Sequence, residues 1–82
     1  MKVEIHTTLK IGVLDPQGKA VESALSNLGF SGIKEIRQGK LFKVEMNTDN
    51  AKEAKNLAKK MCEALLANTV IEDYKIKVIE NN

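Results

Sequence analysis

The chain has no tryptophan, one cysteine, one histidine and one proline, and its aromatic residues are two phenylalanines and one tyrosine. A lone cysteine, Cys62, cannot close a disulfide within the chain. That excludes a stapled secreted scaffold and points to a reducing, cytoplasmic setting. One cysteine and one histidine do not make a zinc ligand set. Three aromatics, Phe30, Phe42 and Tyr74, are few for a sheet that stacks RNA bases. The longest apolar run is four residues, Ala64 to Ala67, far below the ~20 of a membrane-spanning helix. The opening MKVEIHTTLK alternates apolar and polar residues and lacks the apolar block of a signal peptide. Neither charge dominates: 13 bases meet 11 acids for a net charge of +2. The two signs are interleaved, so composition makes no case for a nucleic-acid or membrane partner.

Within 82 residues, 43% are apolar, enough for a core and for one domain, taken as 1–82. A domain of this size buries only about 60–65% of its unfolded surface, so its stability margin is thin. Val3, Ile5, Thr7, Leu9 and Ile11 alternate with Glu4, His6, Thr8 and Lys10, the period of a half-buried strand. The period then changes. Val21, Ala24, Leu25 and Leu28 make one face of a helix over 16–28. Asp15 is its cap, Pro16 its first residue and Gly29 its left-handed end.

Phe42, Val44 and Met46 alternate with Lys43 and Glu45, whereas Ile33 and Ile36 do not share a parity. A hairpin turn at Gln38-Gly39 between strands near 33–38 and 41–47 is the simplest account, with one long bulged strand as the alternative. Ala51, Ala54, Leu57, Ala58, Met61 and Leu65 form the stripe of a second helix over 51–67, opened by Asn50 and Glu53 at capping-box spacing. Tyr74, Ile76 and Val78 supply a last strand.

The order β-α-β-β-α-β predicts an α+β, ferredoxin-like fold: a four-stranded antiparallel sheet with both helices on one face. Phe42 and Tyr74 then point inward, away from any RNA. An uncovered face carrying His6, Thr8, Lys43, Glu45, Lys75, Lys77 and Ile79, and two sheet edges, invite self-association, and the mixed charges on that face point to a polar contact rather than a hydrophobic one.

Gly12-Val13-Leu14-Asp15-Pro16-Gln17-Gly18-Lys19 is not a P-loop. Five residues rather than four separate Gly12 from Gly18-Lys19, Ala20 stands where Ser or Thr holds magnesium, and Pro16 lacks an N–H. A helix start fits better, with the N–H groups of Gln17 and Gly18 free to meet a carboxylate or phosphate. His6 and Cys62 fall on opposite sides of the sheet, so neither activates the other. Glu72 and Asp73, as neighbours, point apart. No catalytic, cofactor-binding or metal residue is expected in the chain.

Three segments resemble the PurS family, small subunits of the multi-subunit phosphoribosylformylglycinamidine synthase of purine biosynthesis. They are Gly12 to Val21, Ile36-Arg37-Gln38-Gly39-Lys40, and Met61 to Tyr74. Thr69 stands where family members often carry proline, a change that bears on the rigidity of the entry to the last strand. The resemblance implies a non-catalytic subunit of a glutamine- and ATP-dependent C–N ligase. Such a subunit forms homodimers or dimers of dimers and bridges a glutaminase subunit and a large synthetase subunit so that ammonia passes between them. ATP and magnesium belong to the synthetase. It further implies Asp15, Pro16, Gln17, Gly18, Arg37 and Lys40 as subunit-interface residues. The alternative is an ACT-like regulatory module binding a small molecule, with Gly12 and Gly18 in its loop.

Overall fold

The computed structural model describes residues 1–79; the last three residues of the expected domain, 80–82, lie outside the described residues. The element order is β1 (Lys2–Leu9), α1 (Pro16–Asn27), β2 (Gly39–Glu45), α2 (Ala51–Met61) and β3 (Glu72–Ile79), with a π-helical turn, Cys62–Leu66, continuing α2. The three strands form one antiparallel sheet in the order β2-β1-β3. Val3 stands between Val44 and Val78, and Ile5 between Phe42 and Ile76. These residues share the inner face, as their alternation requires. His6 sits between Leu41 and Lys75 on the other face, where its side chain is half exposed.

The sheet has three strands, which corrects the four-stranded ferredoxin-like arrangement. Residues 33–38 are not a strand, so neither the hairpin nor the long bulged strand forms. The backbone of this segment is committed elsewhere: Ile36 N–H donates to Glu22 Oε2 at 3.2 Å and Gln38 N–H to Asp15 Oδ2 at 2.7 Å. Gly39 opens β2 and faces Thr8. The mismatched parity of Ile33 and Ile36 is the trace of this in the sequence. A strand that buries one face keeps its register, and this segment has no register to keep.

The second correction concerns the helices. α2 packs on β1 and β3, and its small residues bring it close: Ala54, Ala58 and Cys62 are fully buried with Val3 and Ile5. α1 has no comparable packing with any strand or with α2. Among the described residues only one helix therefore covers the inner face, and it covers the β1–β3 side. α1 is well formed all the same. Asp15 Oδ1 accepts from Gly18 N–H at 2.8 Å, with Pro16 at the first helical position. At its end, Gly29 (φ +96°) donates to Ser26 O and Phe30 N–H to Leu25 O, both at 3.1 Å. That pair of bonds is a Schellman motif, which needs the left-handed residue that glycine supplies.

α2 is capped by Asn50 Oδ1, which accepts from Lys52 N–H at 2.9 Å and Glu53 N–H at 3.1 Å. The π turn closes with Ala67 N–H donating to Cys62 O at 3.1 Å. An i→i+5 turn adds a residue and rotates the chain beyond it. Leu65, expected on the buried stripe, is therefore 84% exposed, and Leu66 packs against the core instead.

Candidate functional site

The six candidate interface residues divide into three groups. Asp15, Gly18 and Arg37 meet in one knot where the start of α1 lies against residues 35–38. Pro16 and Gln17 are exposed beside it. Lys40 stands apart, on β2 opposite Thr7, with its Nζ 3.5 Å from Glu72 Oε2.

The knot is built on Asp15, which is buried. One carboxylate oxygen takes Gly18 N–H and the other Gln38 N–H, so a single side chain caps α1 and ties the incoming strand segment to it. These two donors, the Gln38 N–H foremost, hold the carboxyl below the usual carboxylate range, and the Arg37 guanidinium adds to the effect. Gly18 is required by space. A Cβ there would collide with the carbonyl of Ile36, so the segment lies flat on the helix only because this position has no side chain.

Arg37 closes the knot from the other side. Its Nη2 donates to the carbonyls of Val13 at 3.0 Å, Lys10 at 3.1 Å and Leu9 at 3.5 Å, and its Nη1 lies 3.4 Å from Glu35 Oε1. One guanidinium thus gathers the end of β1 and the turn after it. In that turn Val13 N–H donates to Lys10 O at 3.1 Å, and Gly12 takes φ +91° at the third position, as a type II turn demands. The three carbonyls share the one nitrogen, Nη2, while Nη1 turns to Glu35, so the two arms of the guanidinium serve backbone and carboxylate separately.

The arrangement leaves little of the helix start for a ligand. Gly18 N–H, one of the two donors left open by the sequence, is taken by the chain's own Asp15. The hollow at the knot, about 270 Å³ and lined by Gly12, Asp15, Lys19, Glu22 and Arg37 among others, is open. Its charged groups are already paired: Lys19 Nζ is 3.8 Å from Glu22 Oε2. Glu22, Gln38 and the carbonyls of Leu9, Lys10 and Val13 complete the knot without having been candidates. A carbonyl is present at every residue, so nothing in the sequence marks those three.

Elsewhere, Cys62 is fully buried; burial, and then the neighbouring Glu63 carboxylate, raise its thiol pKa. It lies on the inner side of the sheet and His6 on the outer. Tyr74 Oη donates to Glu63 Oε1 at 3.0 Å, and desolvation together with this acceptor raises the phenol's pKa. Phe42 and Tyr74 are half-buried on the inner face. Glu72 and Asp73 are drawn apart, Glu72 to Lys40 and Asp73 to Lys10 at 2.9 Å. Among the described residues, no group of three or more His, Cys, Asp or Glu is placed to hold a metal ion, and no helix is long and apolar enough to cross a membrane.

The sequence model of PurS, phosphoribosylformylglycinamidine (FGAM) synthase, matches residues 2–80. The chain belongs to the PurS family. The family's Bacillus subtilis member, phosphoribosylformylglycinamidine synthase subunit PurS, is 43% identical over 79 residues, covering 96% of this chain and 93% of that one. The crystal structure of Methanocaldococcus jannaschii PurS, one of the subunits of formylglycinamide ribonucleotide amidotransferase in the purine biosynthetic pathway, superposes with a TM-score of 0.90. It is 40% identical, and the match covers 99% of this chain and 98% of that one. A chain in the structure of PurLQS from Thermotoga maritima matches with a TM-score of 0.85 at 32% identity, over 95% of both chains. Family membership thus rests on the whole length of the fold and on sequence together.

Proposed function

We propose that this chain serves, without an active site of its own, as the PurS subunit of a phosphoribosylformylglycinamidine synthase in purine biosynthesis. In that complex it bridges a glutaminase subunit and a large synthetase subunit and supports ammonia transfer between them. The observation that carries the reading is the end-to-end match to PurS chains, one of them within a PurLQS structure. The knot supports it. Asp15 and Arg37 are spent on backbone groups, which is the work of a scaffold rather than of a reacting centre. ATP and magnesium act in the synthetase, whose product is the amidine. The chain works in the cytoplasm, as a homodimer or dimer of dimers. Pro16 and Gln17 at the exposed helix start, and Lys40 beside Glu72, are its contacts with the larger subunits.

An ACT-like regulatory module is not favoured by the family match. Gly18, read there as a loop glycine, lies inside α1. Deletion of the encoding gene tests the proposal: growth that requires added purine supports it, and growth without purine overturns it. Tagged chain from the native host is expected to bring down a glutaminase and a large ATP-dependent synthetase in the same fraction.

A further inference from the structure

β3 ends the sheet order β2-β1-β3 and pairs with β1 alone. Its other edge, eight residues from Glu72 to Ile79, meets no strand among the described residues. A free edge presents a row of backbone groups ready to pair with another chain. Lysines flank this one on both sides. On the outer face Lys75 and Lys77 stand opposite His6 and Glu4. On the inner side Lys52, Lys55 and Lys59 fall at i, i+3 and i+7, one exposed stripe of α2. The stripe runs on the β3 flank of the helix. Glu63, one turn beyond Lys59, accepts the Tyr74 hydroxyl of β3 at 3.0 Å, and a right-handed crossover from β2 through α2 to β3 turns the same positions that way.

The charges along this edge are not met within the chain. Lys2, Lys10, Lys19, Arg37 and Lys40 each lie beside a carboxylate. None of the five edge lysines has an ion pair among the described residues. Glu63, Asp73 and Glu4, on the elements beside them, face Tyr74, Lys10 and His6 instead. Five cations exceed the chain's net charge of +2, so the rest of the molecule is acidic on balance and the surplus gathers at this edge. A hollow of about 630 Å³ opens at the start of the edge, lined by Glu63 and Tyr74 from the inner side and by His6 and Lys75 from the outer.

We infer that an extended acidic segment of one of the larger synthase subunits pairs with the free edge of β3, its carboxylates set between the two rows of lysines. The inference rests on the bridging role within the proposed function and names the chemistry of one contact. Main-chain hydrogen bonds along the edge hold such a segment, and the side chains beside it choose which segment is held. Lysine beside an edge keeps wrong strands off. Here the rejection is selective: the same edge of a second copy brings five more lysines and is repelled, while an acidic strand is drawn in. Single-stranded RNA fits less well, because bases need an exposed aromatic platform. The one aromatic of β3, Tyr74, is half-buried on the inner face with its hydroxyl on Glu63.

The test uses the full chain, immobilised, against the purified glutaminase and large synthetase subunits, singly and together. Three variants are compared with the natural chain: Lys52→Glu with Lys55→Glu and Lys59→Glu, Lys75→Glu with Lys77→Glu, and Lys34→Glu alone, an exposed charge reversal away from β3. All are surface changes and are expected to keep their far-UV circular dichroism. The two edge variants are expected to bind a larger subunit about tenfold or more weakly, while Lys34→Glu binds as the natural chain does; added salt is expected to weaken the natural chain more than the edge variants. Hydrogen exchange is expected to slow by about tenfold or more, in the complex, at the β3 amides that point away from β1. Undiminished binding by the edge variants overturns the inference and leaves the bridging role standing on another surface. Equal weakening by Lys34→Glu overturns it too, since net charge then accounts for the effect, as does lysine-dependent binding with no protection along β3. Single-stranded RNA bound as tightly as the subunits also overturns it. A natural chain that binds neither subunit overturns both the inference and the bridging role.

Discussion

Asp15 does two jobs that are usually divided between residues. A helix cap needs one oxygen and a strand tether needs another, and each of its carboxylate oxygens takes a different backbone N–H. Asn retains one acceptor oxygen, so Asp15→Asn is expected to keep α1 and release residues 36–38, lowering the melting temperature by about 5–10 °C. Acid should do the same to the natural chain. The folded-state carboxyl titrates below the usual range, so its contribution is complete above about pH 4 and is lost as pH falls through the lowered value. Thermal melts from pH 7 to pH 2 are expected to show this loss in the natural chain and a flatter acid limb in Asp15→Asn.

Gly18→Ala reverses the ordinary rule. In an exposed helix the change stabilises by about 1 kcal/mol. Here the added methyl meets the Ile36 carbonyl, and overpacking of that kind costs about 1–3 kcal/mol, so chemical denaturation should show a net loss. Arg37→Ala removes the charged donor from three carbonyls and should cost about 1–2 kcal/mol. Arg37→Glu should cost more, because it sets an anion against the same oxygens. Reversing this charge therefore changes the fold before it changes any partner contact, and a loss of assembly in such a variant must be read beside its melting curve.

Among the elements, local signals were legible and relations between elements were less so. The caps Asp15 and Asn50, the stop at Gly29 and the alternation of β1, β2 and β3 come from residue type and spacing. They depend on neighbours a few positions away, which a sequence displays. Residues 33–38 contain two isoleucines and end at the Gln38-Gly39 dipeptide, which is why the sequence predicts a strand and a turn there. Their backbone partners, Glu22 and Asp15, lie 14 and 23 positions away, and distance of that kind leaves no periodic mark. The π turn was equally hidden: a regular helix puts Leu65 inward, and one extra residue in the turn puts Leu66 there. Cys62, at the start of that turn, marks its integrity. With its thiol fully buried and its pKa raised, it should react with an aromatic disulfide reagent at neutral pH only as fast as the chain opens. Prompt stoichiometric labelling of the native chain would show that the turn does not hold Cys62 inside.

In the molecule as a whole, the core is small. Among the described residues six apolar residues are buried, and three of them are alanines. A sheet with one helix on half of one face is a thin platform, 15 Å in its shortest dimension, and a helix held off to the side is not a layer. Of the candidate residues, Asp15 and Arg37 shape the fold through backbone groups, whereas Pro16, Gln17 and Lys40 are exposed.

The proposed role, a PurS subunit that contributes to synthase activity by assembly, is open to a direct test. Reconstitution with the glutaminase and large synthetase subunits from the same source puts this to the test, by following formation of the amidine from glutamine, ATP and formylglycinamide ribonucleotide. Glutamine-dependent turnover is expected to require all three subunits, with none from this chain by itself. Equal glutamine-dependent turnover with this chain left out would refute the proposed role.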